Sequence, residues 1–191
     1  MMNGCPRWSL LTVPLLAALG CSDPVPRPPQ ANMTLSITDA TGIKCPASAK
    51  TYQVGNPKPP VPPEDGDRLI DGEKGASIKC SVTGSGPYNF SATIKALSSE
   101  SDKVTLTATN GVINADKETG SATIAVNTPQ LSGNSFVSDP GACVVTVVSQ
   151  NVKPGSLWAS VSCAKVNLAS TGQTCAVAMT TNFIIENCEG S

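Results

Sequence analysis

The sequence predicts an all-β protein: an antiparallel β-sandwich or flattened barrel of seven or more short strands. Apolar and polar residues alternate over many short stretches, the pattern of strands with one buried face. Turn-forming residues separate these stretches. Aromatic residues are only 4% of the chain, and the abundant Ala, Val, Ser and Thr suit short strands with small side chains. We find no stretch with helical periodicity.

Residues 1–20 are predicted to be a secretory signal peptide. Trp8 to Leu19 is an uncharged apolar run of twelve residues, shorter than the ~20 needed to span a bilayer. Pro14 interrupts it, which suits a transient signal better than a permanent helix. Small residues at Ala18 and Gly20 then provide a cleavage site before Cys21.

A cysteine directly after such a segment, here Gly20-Cys21, resembles the lipobox of bacterial lipoproteins. The resemblance implies that Cys21 carries acyl chains such as palmitate and that a membrane is the protein's first partner. Stable anchoring needs at least two acyl chains, and a triacylated cysteine meets that condition. The alternative is a plain secreted protein whose Cys21 is free or paired.

Residues 21–32 are predicted to be the lipidated cysteine and a linker. The stretch "SDPVPRPPQ" has four prolines in nine residues and no hydrophobic cluster, which is typical of a stiff polyproline-like spacer. Residues 33–191 then form a single β-sandwich domain. The predicted location is the cell envelope, either at the outer membrane or on a periplasmic or extracellular face.

The first predicted strand is "NMTLSITD", in which Met33, Leu35 and Ile37 share a face, and "KTYQVG" is the second. Residues 55–75 are predicted to be an exposed loop, because prolines cannot donate to a sheet and the acidic residues that follow need water. Persistent alternation starts at Ala76. The predicted strands from there are "ASIKCSVTG", "YNFSATIKAL", "KVTLTAT", "SATIAVN", "ACVVTVVSQ", "SLWASVSCAKV" and "CAVAMTTNFIIEN".

Turn signals separate these strands. They are Gly84-Ser85-Gly86-Pro87, Asn110-Gly111, Glu118-Thr119-Gly120, Asp139-Pro140-Gly141, Lys153-Pro154-Gly155 and Ser170-Thr171-Gly172. We therefore expect the strand "KVTLTAT" to end at the Asn-Gly pair.

Eight cysteines are present, and six remain once Cys5 leaves with the signal and Cys21 carries lipid. An even number in an exported chain predicts three disulfides. A zinc site is disfavoured, because the chain has no histidine and no Cys-x-x-Cys pair.

The hairpin turns leave two pairings open. A turn near Ala169 places Cys163 opposite Cys175, and we favour this bridge together with Cys45–Cys143. A turn near Gly155 gives instead Cys143–Cys163 with Cys45–Cys175. In either case the third disulfide would be Cys80–Cys188. It would join the first long strand, which holds Cys80, to the segment after the last strand, which holds Cys188.

This placement of Cys80 and Cys188 resembles small mycobacterial lipoprotein antigens. The ending "FIIENC" is similar to uncharacterised Cys-rich lipoproteins of the myxobacterial type. Both resemblances imply a β-rich envelope lipoprotein, and neither implies a chemistry.

No enzyme class is indicated. Without histidine, Ser-His-Asp and Cys-His constellations are impossible, and a Ser-Lys dyad has only outward-facing strand residues to draw on. The formal net charge of −1, with no basic block, disfavours nucleic acid. We expect no cofactor. Trp158 is expected in the core or at its rim rather than as an exposed binding aromatic.

One acidic cluster could hold a metal. It comprises Glu64, Asp65, Asp67, Asp71 and Glu73. A solvated loop is the expected structure, and calcium bound by Asp65, Asp67 and Asp71 is the weaker alternative.

The function predicted is a non-catalytic cell-envelope lipoprotein whose disulfide-stabilised β-sandwich binds an envelope protein or lipid, or makes a structural contact. The alternative is a carrier of an apolar ligand between the sheets. Its void would be lined by small residues, namely Ala92, Ala96, Ala108, Ala122, Ala176 and Ala178. A hydrolase is a third and weaker possibility.

Overall fold

The structure is a computed structural model, and it describes residues 25–42, 48–55, 68–169 and 175–190. Two short 3₁₀ turns, Glu73–Gly75 and Pro129–Leu131, accompany the strands. The strands are β1 (Gln30–Gly42), β2 (Lys50–Val54), β3 (Leu69–Ile70), β4 (Ser77–Gly84), β5 (Tyr88–Leu97), β6 (Lys103–Ile113), β7 (Thr119–Asn127), β8 (Phe136–Val137), β9 (Cys143–Lys153), β10 (Ser156–Leu168) and β11 (Cys175–Glu186). The predicted all-β class is confirmed.

Alternation along the strands explains which side chains are buried. In β5 every second residue is buried, from Tyr88 to Ala96, while the residues between them face solvent or are half-buried. The predicted inward sets of β4, β6 and β7 are buried in the same way. In β11, however, Val177 and Met179 face the core, whereas Ala176 and Ala178 are half-buried on the other face, contrary to the prediction.

The strands form one sheet in the order β2-β1-β11-β10-β8-β7-β6-β5-β4, and every paired strand is antiparallel to its neighbour. Both β8 and β9 pair with β10 on one side and β7 on the other. The sheet therefore turns through these two strands. Phe90 on β5 packs against Phe183 on β11 with ring centroids 6.2 Å apart, so the two halves face each other around one core.

Backbone segments hydrogen-bond to both outer edges of the sheet, extensively at β4 and through one bond at β2. The C-terminal segment runs parallel to β4: Val82 N donates to Glu189 O at 2.9 Å, and Glu189 N donates to Cys80 O at 3.0 Å. At the opposite edge, Ser99 N donates to Gln53 O of β2 at 2.8 Å. Along β4, this pairing occupies backbone groups on which another chain could add a strand.

Two disulfides are formed among the described cysteines. Cys80 and Cys188 are bonded, with an S–S distance of 1.96 Å, as the sequence predicts. The second bridge is Cys143–Cys163, so the favoured pairings Cys163–Cys175 and Cys45–Cys143 are wrong.

Strand register explains this correction. Val144 pairs with Ser162 in the β9–β10 hairpin, which places Cys143 beside Cys163 with Cα atoms 4.4 Å apart. On β11, Cys163 lies opposite Met179, four residues from Cys175. Cys45 lies outside the described residues, so Cys45–Cys175 stays a prediction.

Two predicted boundaries also differ. β1 begins at Gln30, three residues before the predicted start of the domain, because its first residues pair with the end of β11. Within the predicted loop 55–75, Leu69 and Ile70 form β3, which pairs with the start of β1. Residues 1–24, which hold the predicted signal peptide and Cys21, lie outside the described residues.

Candidate binding site

Trp158 lies on the outer face of the sheet and is nevertheless buried. Its neighbours on β10, Leu157 and Ala159, face the core, so the indole points to the other side. The exposed fraction of Trp158 is only 5%. The strand register places Ile184 of β11 next to it and Asn32 of β1 beyond, with exposed fractions of 3% and 0%. A second buried cluster therefore lies outside the main core.

An irregularity in β9 forms one wall beside Trp158. Leu157 pairs with Val152 and Ala159 pairs with Val147, so four residues of β9 oppose the single residue Trp158. Gln150, within this bulge, has a positive φ of 55°. Bulges of this kind redirect side chains and are common next to functional sites.

An ion pair forms the opposite wall. Arg68 precedes β3 and reaches Glu186 of β11, with Nε 2.5 Å from Oε2 and Nη2 donating to Oε1 at 3.3 Å. Because β1 separates β3 from β11, the Arg68 side chain passes over the start of β1. A two-pronged pair of this type fixes both side chains in one geometry.

Together these walls enclose a surface cavity of about 230 Å³. Its floor is apolar and its rim combines amides, a hydroxyl and charges. The lining residues are Arg68, Gln150, Asn151, Val152, Lys153, Ser156, Trp158, Ile184 and Glu186. We call this cavity the Trp158 pocket. An apolar floor with a few polar groups converging on it is typical of a small-molecule binding site.

Asn32 adds an unusual feature beside the pocket. Its side chain is fully buried, and neither the amide nitrogen nor the amide oxygen has a hydrogen-bond partner. An unpaired buried polar group costs on the order of 1–3 kcal/mol. Such a group next to a cavity indicates a position where stability has been given up, which is common at functional sites.

Uncharged polar residues extend from the pocket across the same face. The strand register places them in one row from β2 to β9, and they are Gln53, Thr34, Asn182, Ser160 and Thr146. Adjacent strands lie about 4.8 Å apart, so five strands give a row of about 19 Å. We call this row the polar track.

The acidic cluster is only partly described. The Asp71 carboxylate accepts a hydrogen bond from Ile78 N at 2.7 Å, and Glu73 accepts one from Ile70 N at 3.4 Å. Both carboxylates therefore hold the backbone around β3 and the start of β4. Glu64, Asp65 and Asp67 lie outside the described residues, and the residues that are described contain no group of three or more side chains suited to holding a metal ion.

Lys50 lies between two carboxylates, which favour its charged form. Its Nζ lies 2.7 Å from Asp102 Oδ2 and 3.0 Å from Glu100 Oε2. The hydrogen bonds to Asp102 and then Glu100 raise the pKa of Lys50 above its ordinary value. A general base needs a lowered lysine pKa, so this group is a structural cation that ties the start of β2 to the β5–β6 loop.

Comparisons with known proteins give no further assignment: no family model, no curated protein and no solved structure matches the chain. In the described ranges, no helix is long and apolar enough to cross a membrane.

Most of this site is not evident from sequence patterns. Trp158 was expected in the core or at its rim, whereas its indole lies at the bottom of a pocket on the outer face. One signal was available: Leu157, Ala159 and Val161 alternate as core residues, which puts Trp158 on the opposite face. No sequence pattern indicated that Arg68, Glu186 and the β9 bulge would line this pocket, since their positions depend on strand order and register.

Proposed function

We propose that this protein is an exported, lipid-anchored and non-catalytic protein of the cell envelope, which binds an envelope component through its β-domain. The disulfides indicate an oxidising, extracytoplasmic compartment, because such bonds are rare where thiols are kept reduced. The Trp158 pocket is the observation that carries the binding function.

Anchoring at Cys21 rests on the signal sequence and its lipobox-like end. β1 begins nine residues after Cys21. Pro28 O and Pro29 O accept hydrogen bonds from Asn187 Nδ2 and Asp71 N of the β-domain, so about seven residues remain as spacer. At a polyproline rise of ~3.1 Å per residue they span about 22 Å. Such a spacer would hold the β-domain clear of the headgroups while keeping its outer face available to other envelope components.

The non-catalytic part of the proposal rests on the chemistry of the side chains. The chain has no histidine, Lys50 has a raised pKa, and Asp71 binds backbone. In the Trp158 pocket, the Glu186 carboxylate is paired with Arg68 rather than with a second carboxylate. Two nearby carboxylates are what glycoside hydrolysis needs, so this arrangement favours binding over hydrolysis.

The carrier alternative finds less support. The inward side chains of both halves belong to one contiguous cluster, and four of the six alanines proposed to line a void are buried in it. Small side chains here let the two halves pack closely. The Trp158 pocket, by contrast, opens on the outer face.

The anchor and the binding function are tested with one variant. Cys21→Ser should move the protein from the membrane fraction to the soluble or uncleaved pool, because no acylated sulfur remains to hold it. The released protein, mixed with isolated envelopes, should still sediment with them through its β-domain.

Two results would contradict the proposal separately. Failure of the native chain to incorporate labelled palmitate, or equal incorporation by Cys21→Ser, would rule out the lipid anchor at Cys21. Failure of the released protein to sediment with envelopes, while its melting temperature is unchanged, would rule out envelope binding by the domain.

A further inference from the structure

We infer that the Trp158 pocket binds a sugar acid, a pyranose ring that carries a carboxylate, within an envelope polysaccharide. This inference rests on the proposed envelope-binding function and names its ligand. Three observations support it: the volume of the pocket, the division of its lining into an apolar floor and a polar rim, and the net charge of the lining.

The lining matches the two kinds of surface on a pyranose. One face of the ring presents C–H groups, and hydroxyls project around its edge. Trp158 and Ile184, which are 5% and 3% exposed, provide a small apolar floor for the first. The amides of Gln150 and Asn151 and the Ser156 hydroxyl lie at the rim for the second. Amides and hydroxyls both donate and accept, as sugar hydroxyls do.

The charges at the rim favour an anionic substituent. Arg68 and Lys153 are cations and Glu186 is an anion, which leaves one net positive charge in the lining. Glu186 is engaged by Arg68, whereas Lys153 forms no ion pair with any described residue. An exposed ammonium at the mouth of a pocket is a suitable partner for a carboxylate.

The dimensions favour one ring in the pocket and a chain beyond it. A volume of about 230 Å³ lies below the ~300–1,000 Å³ usual for drug-sized ligands. The polar track continues from the pocket with hydroxyls and amides and without charge. It would contact the neighbouring sugars of a polymer, which a free monosaccharide lacks.

Intrinsic fluorescence gives a direct test, because Trp8 and Trp158 are the chain's two tryptophans. In the full chain with Trp8→Phe, all tryptophan emission comes from the pocket. Titration with trigalacturonate should change the emission saturably, and a neutral galactose trisaccharide should bind at least about tenfold more weakly, because it lacks the charge-assisted hydrogen bond. This preference should shrink as salt is added.

A matched pair of lysine variants locates the effect. Lys153→Gln should reduce the preference for trigalacturonate to about twofold or less, since a neutral amide replaces the ammonium. Lys79→Gln, an exposed lysine on β4 in the other half of the sheet, should leave the preference unchanged. Asn151→Ala, at the rim, should weaken binding of both trisaccharides.

Several outcomes would overturn the inference. These are equal affinity for the two trisaccharides, an equal effect of the two lysine variants, or a response to inorganic phosphate with none to either sugar. Competition separates this inference from the proposed function. If the Cys21→Ser protein sediments with envelopes and trigalacturonate does not displace it, the sugar-acid ligand is wrong and envelope binding stands. If trigalacturonate binds but no sedimentation occurs, sugar binding stands and envelope binding is wrong.

Discussion

Gly111 shows how a single residue sets the packing between the two halves of the sheet. It lies within β6, next to Asn110, which has a positive φ of 50° and forms a bulge. A β-carbon at Gly111 would come within 2.4 Å of the Phe90 ring. Phe90 in turn packs against Phe183 across the core. The glycine is therefore needed for the close approach of an aromatic ring.

Gly111→Ala should destabilise the protein by about 1–3 kcal/mol, the usual cost of forcing extra volume into a packed core. Chemical denaturation of the variant and of the native chain measures this difference. In a Phe90→Leu background the same alanine should cost clearly less, because the smaller side chain leaves room for the methyl group. An equal cost in both backgrounds would show that the ring is not what Gly111 accommodates.

At the scale of elements, the β9 bulge creates the Trp158 pocket. Four residues of β9 oppose the single residue Trp158, and two of them, Gln150 and Asn151, line the pocket. The flanking pairs are regular, from Ala159–Val147 to Ser162–Val144 on one side and at Leu157–Val152 on the other. The bulge thus interrupts a hairpin whose two strands are joined by the Cys143–Cys163 disulfide.

Deletion of residues 149–151 should remove the pocket and leave the fold. It restores a one-to-one register, with Val148 opposite Trp158, so the hairpin and its disulfide should still form. The indole would lose a wall and become more exposed. We expect a red shift of its emission in the Trp8→Phe chain, with near-native far-UV circular dichroism. An unshifted emission maximum would mean that other groups bury Trp158.

At the scale of the whole molecule, one bridge closes a hairpin and the other closes the domain. Cys143 and Cys163 are 20 residues apart in sequence, whereas Cys80 and Cys188 are 108 apart. The longer bridge joins β4, the last strand of the sheet order, to the segment after β11, which also hydrogen-bonds to β4.

Removing the longer bridge should destabilise the protein more. Chain-entropy estimates are about 3 kcal/mol for a short loop like that of Cys143–Cys163 and about 4.7 kcal/mol for a loop of roughly a hundred residues. Replacing each pair with serines and comparing denaturant midpoints at equal m-values tests the order. A larger loss for the hairpin bridge would show that strain or residual unfolded structure outweighs loop closure.

Local patterns in the sequence predicted most of the fold. Alternation identified the strands from Ile78 onward. Successive side chains of a strand point to opposite faces, so a buried face shows as an apolar residue at every second position. The hairpin turn predicted at Asn110-Gly111 is wrong. β6 continues through it to Ile113, and the chain turns at residues 114–118 instead. A positive φ suits both a turn and a bulge, so composition alone does not distinguish them.

The sequence was sufficient to predict the all-β class, the presence of disulfides and the Cys80–Cys188 bridge, and it is the basis on which the export signal and the lipobox-like cysteine are proposed. Each of these depends on short-range pattern or on the number and order of cysteines. The Cys143–Cys163 pairing and the Trp158 pocket, by contrast, depend on how the strands are arranged in the folded protein. Arg68 and Glu186 are 118 residues apart, and they meet because β1 and β11 are neighbours in the sheet. Such contacts follow from strand order and register, which no local stretch of the chain encodes.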